Sequence, residues 1–169
     1  MRKWMIMMAL LTAGGAWALE PGEAVPDLAL PSTSGEAVRL TDYAGQWLVL
    51  YFYPRAFTPG CTAQSCSLRD EYADIRERGA AILGVSLDNP ERQQEFKNEH
   101  SLPFDLLSDT EKALARAFDS LMTGGLMTAR KTFLIDPDGR VAYRFDRPAT
   151  SGHAGEVIAE LDRLIAARP

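Results

Sequence analysis

Cysteine and histidine are both scarce: two of each in 169 residues. Two cysteines are too few for a disulfide scaffold, a four-cysteine zinc site or an iron–sulfur cluster. Two histidines cannot complete a zinc site without carboxylates. Positive charge is also short, with 18 Lys and Arg against 23 Asp and Glu and a net charge of -5. No basic field is present to hold nucleic acid. Long apolar runs are absent after residue 18. The longest is Trp47–Tyr53, which is too short to cross a bilayer. At 46% hydrophobic and 24% charged, the composition is that of a globular chain rather than a disordered one. The length fits one domain with a real core.

The first residues read as an export signal rather than as part of the fold. Met1-Arg2-Lys3 is a basic start, Trp4–Ala13 is apolar, and Ala16-Trp17-Ala18 is an A-x-A end. Cleavage after Ala18 leaves a domain over 19–169. No cysteine follows that site, so a lipid anchor is not expected. The expected compartment is a bacterial periplasm, where disulfides persist. An uncleaved anchor helix is the competing reading.

Along the mature chain, Leu28–Leu30 and Ala37–Leu40 flank a turn cluster and read as a hairpin. Trp47–Tyr53 is apolar throughout, as in a strand buried on both faces. A helix is expected from Thr58-Pro59, with Thr58 as N-cap, running past Leu68, Tyr72 and Ile75 to Gly79. Ala80–Ser86 is the next strand. Asp88-Asn89-Pro90 opens a helix towards His100, and Pro103–Leu107 is extended. Thr110 is expected to cap a helix carrying Leu114 and Phe118. Thr132–Ile135 and Arg140–Phe145 form a hairpin across Asp136-Pro137-Asp138-Gly139. Val157, Ile158, Leu161, Leu164 and Ile165 make the apolar stripe of a last helix. Strands alternating with helices indicate an α/β sandwich. Its expected sheet is mostly parallel with an antiparallel part, and the order fits a thioredoxin-like arrangement.

Tyr53-Pro54-Arg55-Ala56-Phe57-Thr58-Pro59-Gly60-Cys61 leads from the buried strand into the helix. Cys61 is then the third helical residue. Unpaired backbone N–H groups and the helix dipole both favour a thiolate there. Gly60 permits close approach of a ligand to the backbone. Cys66 follows five residues later. That offset separates the two Cα atoms by roughly 8–9 Å in an intact helix. A disulfide needs about 4.4–6.8 Å. Either both cysteines stay reduced, or part of the helix opens when they pair. A static structural disulfide is the alternative.

These residues resemble a known family. Pro54-x-x-x-Thr58-x-x-Cys61 is similar to the active-site signature of peroxiredoxins. Thr58-Pro59-Gly60-Cys61-Thr62-x-x-x-Cys66-x-x-Arg69-Asp70 resembles the peroxiredoxin Q / bacterioferritin comigratory branch. Phe52-Tyr53-Pro54, Gly84-Val85-Ser86, Leu102-Pro103-Phe104, Leu107-Ser108-Asp109, Thr132–Asp136 and Gly152-His153-Ala154 agree in order. The resemblance implies a thioredoxin-like three-layer sandwich with a central mixed sheet and an N-terminal β-hairpin. It implies a peroxidase needing no cofactor and no metal, acting on hydroperoxides and recycled by a thioredoxin-like or other dithiol. It implies a monomer, with no membrane association once the signal is removed.

By the same resemblance, Cys61 is the peroxidatic thiol and Cys66 the resolving one. Thr58 bonds the peroxide, Pro54 shields the thiolate, and Arg130 contacts both thiolate and peroxide. Phe57 reads either as a wall of the site or as core. Residues 119–129 depart from the family pattern, lacking its Trp-Gly-Glu-Lys-like stretch and tyrosine, so a different pocket shape is expected. Arg55 reads as solvated charge at the mouth, and Arg69 with Asp70 as a surface ion pair. His100 is expected in solvent and His153 at the surface or in a cap.

Two other functions compete. A thioredoxin-type disulfide oxidoreductase needs C-x-x-C and a proline before the strand near residue 132. This chain has C-x4-C and no proline between Pro103 and Pro137. A copper-binding assembly factor would ligate through Cys61, Cys66 and a histidine such as His153.

Overall fold

The computed structural model describes residues 19–168. The export-signal reading of residues 1–18 lies outside them. A short antiparallel pair comes first, β1 (Ala29–Pro31) with β2 (Ala37–Arg39). The main sheet has β3 (Trp47–Phe52), β4 (Ala80–Ser86), β5 (Asp105–Ser108), β6 (Lys131–Ile135) and β7 (Val141–Phe145). Their order is β5-β4-β3-β6-β7. β3, β4 and β5 run parallel, while β6 and β7 add antiparallel partners on the other side of β3. The helices are α1 (Pro59–Asp70), α2 (Tyr72–Glu77), α3 (Pro90–Glu99), α4 (Ala113–Ala117) and α5 (His153–Ala167).

β3 explains the three layers. All six of its residues are buried, because alternate side chains enter two cores. Val49 and Tyr51 pack with Leu68, Ile75, Phe96, Val157 and Leu161, beneath α1, α2, α3 and α5. Leu48, Leu50 and Phe52 pack with Leu30, Leu114 and Phe118, beneath the hairpin and α4. The expected mixed-sheet sandwich is therefore the observed one. Gly84 is needed where β4 passes Tyr51. A Cβ there would lie 2.6 Å from Leu106 and 2.7 Å from the Tyr51 ring.

Three local expectations need correcting. The helix expected over residues 58–79 is two helices, interrupted at Glu71, whose φ of -103° and ψ of 17° leave the helical range. Asp109, rather than Thr110, caps α4. Its carboxylate accepts from Leu114 N at 3.2 Å and Ala115 N at 2.7 Å. Burial pushes the Asp109 carboxyl up, and these amide bonds oppose that. His153 is fully buried, not at the surface.

Candidate active site

β3 delivers the chain to the site. Tyr53 extends the strand by donating to Val85 O, and its own carbonyl accepts from Thr128 Oγ1 at 2.6 Å. Thr128 thereby ties the atypical 119–129 segment to the start of the Pro54–Thr58 loop. Three exposed apolar side chains, Met122, Leu126 and Met127, belong to that segment.

The loop from Pro54 to Thr58 is clamped from α3. Asp88 accepts from Ala56 N at 2.8 Å, and Arg92 Nη2 donates to Ala56 O at 3.1 Å. Arg92 also pairs with Asp88 and places its guanidinium 5.0 Å above the Phe57 ring. Phe57 adopts φ 66°, a left-handed conformation that a bulky residue rarely takes. The clamp holds it there. Its ring packs edge-on against Phe96 at 5.2 Å, so of its two expected roles the structure shows core packing. Arg55 is exposed as expected.

Thr58 starts α1 with its backbone, not its side chain. Its carbonyl accepts from Thr62 N at 2.9 Å, whereas its hydroxyl donates to Arg55 O at 3.0 Å. The side-chain cap expected from sequence is thus absent. The hydroxyl proton is committed to the loop, leaving its lone pairs free to accept from a peroxide O–H.

Cys61 is 1% exposed on the first turn of α1. Arg130, just before β6, donates from Nη2 to Cys61 Sγ at 3.5 Å. Its Nη1 donates to Gln64 Oε1 at 2.6 Å and Gly60 O at 3.4 Å. A Cβ on Gly60 would sit 3.0 Å from Nη2, so glycine gives the guanidinium its place. Chain-distant Arg130 and Cys61 are therefore brought together as expected. Gln64 was not legible as a partner, although its position three residues after Cys61 puts both on one helix face. It is fully buried, and its amide nitrogen has no hydrogen-bond partner among the described residues. Leaving a buried donor unmade costs about 1–3 kcal/mol.

Cys66 is half-buried, and both thiols are free. It lines a groove of about 530 Å3 between α1 and the first turn of α5, with Ser67, Gly152 and Gly155. Ser67 Oγ accepts from Ala154 N at 3.1 Å and ties the two helices. Arg69 and Asp70 form the expected ion pair, and Arg69 also donates to His100 O. His100 is half-buried and packs edge-on against Phe96 at 4.9 Å, rather than standing in solvent.

Tyr51 lies beneath Cys61's helix, its hydroxyl 3.0 Å from Ser65 Oγ. Burial pushes its phenol well above the ordinary range, and nearby thiolate charge would add to that. His153 Nε2 bonds Thr132 Oγ1 and its Nδ1 bonds Glu156 Oε2, each at 2.9 Å. Burial holds its pKa below the usual histidine value, Glu156 opposes this, and Arg130's charge adds to it. With both ring nitrogens taken, His153 is ill placed to complete a copper site with the two cysteines.

Residues 21–144 match the AhpC/TSA family. The chain is 41% identical over 149 residues to peroxiredoxin Bcp of Bacillus subtilis, covering 85% of this chain and 95% of that protein. Among solved structures, peroxiredoxin Q of Xanthomonas campestris superposes with a TM-score of 0.78 at 36% identity, over 88% of this chain and 98% of that one. The bacterioferritin comigratory protein of the same organism, solved as trapped intermediate and ligand complexes for its alkyl peroxide reduction activity, gives 0.78 at 36% identity over 86% and 96%. The fold, the Cys61–Arg130 contact and these likenesses agree: this chain belongs to the AhpC/TSA family, in its peroxiredoxin Q / bacterioferritin comigratory branch.

Proposed function

We propose that this chain is a thiol peroxidase that reduces hydrogen peroxide and alkyl hydroperoxides with electrons from a dithiol. The observation that carries the reading is Arg130 Nη2 at 3.5 Å from Cys61 Sγ, on the first turn of α1. A fixed guanidinium favours the thiolate and steadies negative charge arriving on oxygen. The Cys61 thiolate attacks the terminal oxygen of ROOH. An S–O bond forms, the O–O bond breaks, and RO⁻ leaves to take a proton from solvent. Sulfur loses two electrons and becomes a sulfenic acid. Thr58 accepts from the peroxide O–H and orients it. Pro54 takes its thiolate-shielding role from the family resemblance, and it is half-buried in a pocket with Arg55, Leu87, Asp88, Leu126 and Met127.

Cys66 then attacks the Cys61 sulfenic acid, releasing water and leaving a disulfide. Both thiols ride on α1, so that step needs the helix to open. An external dithiol, of the thioredoxin type or smaller, reduces the disulfide by exchange. The purified chain, given cumene hydroperoxide and dithiothreitol, should consume peroxide catalytically. The Cys66→Ser chain should leave a sulfenic acid on Cys61 that dimedone labels. A wild-type chain inert to both peroxides overturns the reading.

We also read the mature enzyme as exported, on the strength of the Met1–Ala18 pattern, and as a monomer, on its resemblance to the peroxiredoxin Q branch. Among the described residues no helix is long and apolar enough to cross a membrane. Mass spectrometry after expression with the leader should find Leu19 first, and light scattering should give the mass of one chain. Retention of residues 1–18 overturns the cleaved-signal reading in favour of the anchor helix, and a dimer mass overturns the monomer.

A further inference from the structure

We infer that Gln64 is a further substrate-binding group, whose side-chain NH2 donates to the oxygen that Cys61 takes from the peroxide. The inference rests on the peroxidase reading above. Gln64 Oε1 is fixed by Arg130 Nη1 at 2.6 Å, and the other arm of the same guanidinium reaches Cys61 Sγ at 3.5 Å. The oxygen bond from Arg130 settles the orientation of the amide, because reversing it would set NH2 against a guanidinium that only donates. The amide nitrogen is therefore bound to the same carbon as an oxygen held by the arginine that touches the thiol. It is buried, and no group among the described residues accepts from it. Cys61 and Gln64 are three apart on α1, so their side chains share one face.

Among the described residues no group accepts from that donor while Cys61 is reduced. The reaction introduces one. When the thiolate attacks ROOH, the transferred oxygen accepts sulfur's electron pair beside Arg130 and becomes more negative as it changes from a peroxide to a sulfenic oxygen. It loses its link to RO⁻, which leaves with the bonding pair and is protonated by solvent. The oxygen retained on sulfur is the acceptor the amide lacks. A hydrogen bond formed as that charge develops speeds the attack, since the interaction is stronger in the transition state than with the thiol alone.

Two variants separate this role from simple placement of Arg130. Gln64→Glu keeps an oxygen for Arg130 and removes the donor. Gln64→Met removes both. Each is made in the Cys66→Ser chain so that only Cys61 reacts. Single-turnover oxidation by hydrogen peroxide and alkylation by iodoacetamide are followed to the alkaline plateau. Alkylation transfers no oxygen, so the ratio of the two rate constants cancels changes in thiolate population, access and intrinsic nucleophilicity. The ratio should fall about tenfold in both variants, the size of one hydrogen bond to a charged oxygen. An unchanged ratio in both overturns the inference. A wild-type ratio for Gln64→Glu with a low one for Gln64→Met also overturns it, leaving Gln64 as a holder of Arg130. If the chain with Gln64 intact is alkylated but not oxidised by peroxide, the peroxidase reading itself fails.

Discussion

Cys61→Ser is expected to lower peroxide consumption by roughly 10³-fold or more, to the uncatalysed background. The serine hydroxyl is nearly isosteric, so the fold should survive. What disappears is the nucleophile. A thiol in this position can ionise and has polarisable lone pairs to offer oxygen, whereas a hydroxyl stays protonated beside Arg130. The variant also separates the functional readings sharply. Cys61 is 1% exposed and fills a place in the core under α1. A purely structural cysteine there would tolerate serine with some loss of stability and no loss of a rate. Stopped-flow measurement of peroxide loss with excess dithiol gives the answer, and wild-type turnover by Cys61→Ser would contradict the whole mechanism.

Arg130→Met should be the next most damaging change, slowing Cys61 oxidation by about 10²–10³-fold. Methionine keeps length and apolar volume but removes a permanent charge and two aimed donors. One donor faces Sγ at 3.5 Å and the other holds Gln64 and Gly60 O. Arg130→Lys restores the charge without the planar fork. A single ammonium cannot span both partners, so only about a tenth of the wild-type rate should return. The same stopped-flow assay at fixed pH reads both variants. A rate for Arg130→Met within twofold of wild type would remove the guanidinium from the mechanism.

Much of this was legible in the chain because it depends on local pattern. Ala80–Ser86 is bounded by Gly79 and by the Asp88-Asn89-Pro90 start signal, and the strand occupies those residues. Asn89 caps α3 by accepting from Arg92 N at 2.9 Å, as the Asn-Pro pair predicts. Cys61 and Thr58 lie within one short motif. What stayed hidden depends on tertiary contact. The Asp88–Arg92 clamp joins the start of α3 to the loop before α1, and the Asp88-Asn89-Pro90 start signal does not announce that contact.

His153 looked like a surface cap because it begins a helix. It is buried because Thr132, Glu156 and Phe145 close over it from three elements. Thr58 and Thr110 failed as side-chain caps for one reason: other acceptors and donors nearby claimed the work. Arg55 O took the Thr58 hydroxyl, and Asp109 supplied the α4 cap.

The break at Glu71 sets how far a disturbance in α1 can spread. α1 is lightly moored: its buried residues are Cys61, Gln64, Ser65 and Leu68, of which only Leu68 is a large apolar side chain. Freeing one leucine forfeits about 1.5–3 kcal/mol of burial. Past the break, α2 keeps its own anchor in buried Ile75, and α5 keeps Val157 and Leu161. A turn of α1 can therefore come undone at modest cost without pulling its neighbours from the sheet. In the proposed mechanism the protein would thus rearrange around a Cys61–Cys66 bond, and close again when that bond is reduced, while most of its core stays packed.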